Sequence, residues 1–144
     1  MSVYEIFLNS HSYLRYFILI SLLIVIVTSF IGWQSNKPYT ALDNKFSLYL
    51  LIFTHLQLVV GLILYFMSPN VQFNSATMSD KMTRYWTVEH VFMMIIVVAL
   101  ITIARVTSKR MSTDQARHRR LAIFNIIALI LIIATLAMSD RRIF

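Results

Sequence analysis

LAIFNIIALILIIATLAM, residues 121–138, carries no charge and only two polar side chains, Asn125 and Thr135. A helix rising 1.5 Å per residue spans about 27 Å over such a run, close to the ~30 Å hydrocarbon thickness of a bilayer. Three further runs of the same kind precede it: Tyr13–Trp33, Ser47–Met67 and Trp86–Ile103. With their bounding residues the expected spans are 13–33, 47–67, 86–105 and 120–138. Helices are required, because an open sheet would leave backbone amides unpaired in lipid. The first run is too long for a signal peptide, lacks a basic segment ahead of it, and has no small-residue cleavage pattern after it.

Composition agrees with this class. Of 144 residues, 58% are hydrophobic and 13% charged, about half the charge of a soluble domain, and mean hydropathy is +0.71. Two Gly and two Pro leave little material for a loop-rich or all-β fold. The absence of Cys removes disulfides, thiolate metal sites, iron–sulfur clusters and cysteine nucleophiles. No phosphate loop, HExxH pair or GxSxG elbow is present, so no catalytic residue is assigned.

The basic residues set the expected orientation. An even number of spans puts both termini and the 68–85 loop on one side, with Arg15, Lys81, Arg84, Arg141 and Arg142. The other side holds Lys37, Lys45, Arg105, Lys109, Arg110, Arg117, Arg119 and Arg120. Six of these eight surround one short connection, which places residues 105–120 in the cytoplasm and both termini outside. The net charge of +7 then reflects topology and attraction to anionic lipid rather than nucleic-acid binding. Tyr13, Tyr16, Tyr65, Tyr85 and Trp86 fall at the outer interface, and Trp33, Tyr39 and Tyr49 at the inner one. The expectation is an all-α, up-down four-helix bundle in the inner cell membrane, one domain over 1–144. The 68–85 loop, opened by Ser68-Pro69-Asn70, is the expected lid or docking surface.

Polar groups inside the spans carry the functional reading, because they are expensive in hydrocarbon. Ser47, Thr54, Gly61 and Tyr65 share one face of the second span, with Gln57 about 60° to one side and His55 about 100° to the other. Small and hydroxyl residues there suit helix–helix packing. His55 lies roughly 12 and 18 Å from the two ends of its span. A histidine at that depth hydrogen-bonds a partner, lines a cavity or binds a metal. His90 lies roughly 6–9 Å below the outer boundary, on a face with Trp86, Met93, Met94, Val97 and Ile101. Glu89 is expected to pair with Arg84 or Lys81, with proton holding as the alternative. His11, beyond the end of the first span, reads as an interfacial histidine, and His118, within Arg117-His118-Arg119-Arg120, as part of a solvated basic patch.

Two neutral imidazoles facing one another across apolar helices would bind a b-type haem, which needs no CxxCH attachment motif. His55 with His90 is the first choice of axial pair, although ideal helices leave a depth difference of about 6–10 Å. His11 with His90 is the competing pair, and Arg15 and Arg84 would face the propionates. Gln57, Glu89 and His118 are secondary candidates.

The stretches HSYLRYFILI (11–20), FTHLQLVVGLILYF (53–66), RYWTVEHVFMMI (84–95) and HRRLAIFNIIALI (118–130) resemble small four-helix bacterial membrane proteins of the cytochrome b-like kind. The resemblance covers residues 8–138. It implies haem b and electron transfer, and would carry a ligand role to His11, His55, His90 and His118. The expected function is therefore a haem protein passing electrons within the membrane, from quinol or another donor, as a subunit of a respiratory-type assembly. A cofactor-free accessory subunit of a respiratory or export complex is the alternative. A copper- or proton-handling protein is the third, since Met93 and Met94 would suit Cu(I).

Overall fold

The computed structural model describes residues 2–139, so Arg141 and Arg142, assigned above to the outer side, lie outside the described residues. Four long helices make up nearly all of it: α1 (Val3–Gln34), α2 (Ala41–Met67), α3 (Lys81–Ser108) and α4 (Asp114–Met138). Each is long and apolar enough to cross a membrane, and no strand occurs among the described residues.

Every helix outruns its apolar stretch at the N-terminal end, because capping rather than hydrophobicity decides where a helix begins. Ser2, Thr40, Asp80 and Thr113 each accept a hydrogen bond from the backbone N–H three residues on. At Thr40 the cap is reciprocal, since Asp43 accepts from the Thr40 N–H at 2.9 Å. α1 ends in a tight reversal: Asn36 takes φ 53°, and Lys37 N donates to Gly32 O at 3.0 Å. Asn tolerates this left-handed backbone better than most residues. The connections shrink accordingly to 35–40, 68–80 and 109–113. Most of the basic 105–120 segment is helical.

α1 packs on α2 and α4, and α3 on α4 and α2. The buried centre comprises Leu22, Val25, Leu50, Val97, Ile101, Leu121 and Ala128. Outward faces are as apolar as the inside. Phe17, Leu23, Val59, Phe66, Phe92 and Ile130 are exposed, and only 17–33% of each apolar window is buried within the protein. In water these surfaces would cost about 25 cal/mol per Å². Lipid removes that cost.

Polar groups in the core are answered locally. Thr54 and Thr135 donate to Leu50 O and Leu131 O at 2.9 and 2.7 Å, and Asn125 Nδ2 donates to Leu121 O at 2.8 Å. Arg105 is 7% exposed. It donates to Asn44 O at 3.0 Å and to the Ser47 hydroxyl, which ties α3 to the start of α2.

Candidate functional site

His11 and Arg15 stand one turn apart on α1 and face a cavity of about 360 Å³. α2 contributes Leu58, Gly61 and Tyr65 to it, and α3 contributes Tyr85, Trp86 and His90. The His11 and His90 rings lie 6.3 Å apart, centre to centre, with their planes at 74°. Gly61 makes the approach of His11 possible. A Cβ on Gly61 would stand 3.2 Å from His11 Cε1 and 3.7 Å from Nδ1, so the imidazole rests directly on the α2 backbone. Gln57 Nε2 donates to His11 O at 2.8 Å, fixing the register of α1 against α2.

α3 presents His90 through an unusual turn. Residues Tyr85–Glu89 form one wide π turn immediately before it, a feature that concentrates at functional sites. Tyr65 Oη donates to Thr87 O at 2.7 Å within that turn. Gln72 N donates to the Thr87 hydroxyl at 3.0 Å, and Thr77 Oγ1 donates to Gln72 O at 2.6 Å. The 68–80 connection is thereby pinned onto α3, with Ser68, Asn70 and Val71 forming part of the cavity wall. Around His90, the Tyr85 and Trp86 rings lie at 5.6 and 5.3 Å, and Tyr85 Oη is 3.3 Å from His90 Nδ1. Tyr85 is 2% exposed.

Several buried polar atoms here have no partner. His11 Nδ1, Arg15 Nε and Gln57 Oε1 are three such atoms among the described residues. Leaving a buried polar atom unpaired costs about 1–3 kcal/mol, and such groups call for an explanation. Arg15 Nη2 does reach the Tyr16 hydroxyl at 3.1 Å.

The structure distributes the other sequence candidates differently. His55 is exposed on α2, with Nε2 3.0 Å from the Thr102 hydroxyl. Thr102 lies twelve residues from His90, about 18 Å along α3, so His55 and His90 are not brought together. Arg84 is engaged by Glu89, Nε to Oε1 at 2.7 Å, and donates to Met78 O at 3.2 Å. Its place as a propionate partner is taken up by an ion pair. His118 is no part of a solvated patch: it is 1% exposed, because its face of α4, with Leu121, Ala122 and Asn125, packs inward. Its ring covers Gly32, where a Cβ would lie 2.6 Å from three ring atoms. Its Nε2 lies 3.3 Å from Pro38 O. Tyr39, in the 35–40 connection, stacks edge-on against it at 5.3 Å, and burial raises the Tyr39 hydroxyl pKa above its ordinary value.

Sequence reasoning passed over the π turn, the Tyr85 contact and the seats on Gly61 and Gly32. The glycine count was a usable signal, since each of only two glycines lies beneath a histidine. No protein-family model, curated protein or solved structure matches the chain. Its chemistry therefore rests on the site alone.

An imidazole–metal–imidazole axis has metal–nitrogen bonds of roughly 2 Å and about 1 Å from each nitrogen to its ring centre, about 6 Å in all. The 6.3 Å between His11 and His90 matches that span. Any angle between the ring planes is compatible with it, because both planes can contain the axis. No group of three or more His, Cys, Asp or Glu occurs among the described residues, so a two-imidazole site is the metal chemistry this geometry offers. An apolar α2 wall and the Arg15 cation stand beside them, and a porphyrin there would need the cavity of about 360 Å³ to widen around it.

Proposed function

We propose that the chain is a multi-pass protein of the inner cell membrane, an up-down bundle with residues 105–120 in the cytoplasm, that holds one b-type haem between His11 and His90. The observation that carries this reading is the 6.3 Å separation of the two rings inside one cavity. When bound, the haem supplies one-electron transfer, at a potential set by its ligands and their burial. The ligand pair becomes His11 with His90 in place of His55 with His90.

The protein's own residues prepare the site. With His90 Nδ1–H as the donor to the Tyr85 hydroxyl oxygen, 3.3 Å away, Nε2 would carry the lone pair, the usual arrangement for an outer partner to a ligating histidine. Gly61 lets His11 sit against α2, and Gln57 holds the backbone of His11 in register. Arg15 would supply positive charge to the carboxylates of a haem held here. The pinned 68–80 connection walls off part of the cavity. With so little mass outside the helices, the electron donor and acceptor are other molecules of a membrane assembly.

Visible spectra of the purified protein, oxidised and reduced, test this. A Soret band that disappears in His11→Ala and in His90→Ala but persists in His55→Ala is the expected result. A colourless protein from cells amply supplied with haem refutes the proposal.

A further inference from the structure

A second cavity, of about 500 Å³, lies where the end of α1 meets the start of α4, far along both helices from the histidine pair. Its walls combine apolar Trp33, Ile123 and Phe124 with polar Thr113, Arg119 and Arg120. The two guanidiniums are laid against aromatic faces, Arg119 over Trp33 at 5.9 Å and Arg120 over Phe124 at 5.5 Å. These contacts hold the cations in place without neutralising them. Arg117 nearby is different, being paired with Asp114 at 2.7 Å. Among the described residues neither Arg119 nor Arg120 meets a carboxylate. Gln115 Nε2 donates to Trp33 O at 3.3 Å, joining the α1 terminus to α4.

We infer that this cavity binds the phosphodiester headgroup of an anionic phospholipid, with Arg119 and Arg120 on the phosphate and Trp33, Ile123 and Phe124 against the upper acyl chains. Paired, planar arginine donors suit phosphate oxygens. An aromatic at the same depth marks the interface where headgroup and chain meet. Basic pockets between membrane helices are a recurrent form of lipid-headgroup recognition. The inference does not depend on haem binding.

Native mass spectrometry of the full-length protein in detergent tests it, titrating phosphatidylglycerol, phosphatidylcholine with the same chains, and inorganic phosphate separately. Phosphatidylglycerol is expected to be retained at the lowest concentration, with inorganic phosphate failing to displace it at equal concentration. Arg119→Gln and Arg120→Gln should each weaken retention about fivefold. Lys45→Gln with Lys109→Gln, which removes two charges that do not line the cavity, should change it less than about twofold. Equal retention of the two lipids, displacement by phosphate alone, or equal weakening by the lysine pair would each overturn the proposal. The lipid comparison needs only the unaltered chain, so it decides the matter even where a variant fails to fold.

Discussion

His11 and His118 are seated the same way and surrounded differently. Each lays its imidazole on the glycine of a neighbouring helix, His11 on Gly61 and His118 on Gly32. Each has a buried Nδ1 without a partner. Around His118 the protein closes: Tyr39 covers the ring, Pro38 O meets Nε2, and the residue is 1% exposed. Around His11 it opens onto a cavity with a second imidazole and an arginine. Burial of a histidine in a membrane protein therefore does not by itself mark a ligand. A second imidazole at metal-spanning distance, with room beside it, is what separates the two. His118 reads as a packing element, and His11, on the proposed function, as half of a site.

The sharpest way to break that contrast is to remove the rings one at a time. His11→Ala or His90→Ala is expected to abolish haem absorbance, whereas His118→Ala leaves the spectrum and lowers thermal stability. If His118→Ala removes the colour as completely as His11→Ala, the two ends do not differ as described. Next in size is Gly32→Ala. Its Cβ would press within 2.6 Å of a ring that has nowhere to go, so a loss of about 3 kcal/mol, the upper range for overpacking, is expected in a detergent unfolding assay. Gly61→Ala, where the nearest ring atom is at 3.2 Å and an open cavity adjoins, should cost less than half as much. Equal costs would mean that His11 is as tightly enclosed as His118.

Tyr85→Phe keeps the buried ring and deletes only the hydroxyl on His90 Nδ1. A fall in haem affinity of about tenfold is expected from a competition titration, with stability little altered, as for other outer partners of metal-bound histidines. The smallest effect is that of Glu89→Gln. It breaks the partly exposed pair with Arg84, is expected to cost under about 1 kcal/mol, and should weaken at high salt.

Much of the fold could be read from residues 13–33, 47–67, 86–105 and 120–138, because uninterrupted apolar runs admit one solution in lipid. Helix ends could not, because Ser2, Thr40, Asp80 and Thr113 cap them outside the hydrocarbon stretch. The histidine pairing was only half legible. Its depth in the span drew attention to His55 despite a mismatch with His90 of about 6–10 Å on ideal helices, whereas α1 begins at Val3 and carries His11 into the packed region. A π turn also resets the register of α3 just before His90, and nothing in Tyr85-Trp86-Thr87-Val88-Glu89 announces it. His118 was hidden by its neighbours: three arginines around it suggest solvent, yet only its own face turns inward. Gly61 could be seen as a small residue suited to packing, and the structure gives its smallness a particular use beneath His11.

Haem titration into the purified apoprotein, followed by visible absorbance, addresses the central claim most directly. The account predicts saturation at a single haem per chain, with a low-spin spectrum typical of two imidazole ligands that is unchanged by His55→Ala. Absorbance that rises without saturating, or a spectrum that survives loss of both His11 and His90, would contradict it.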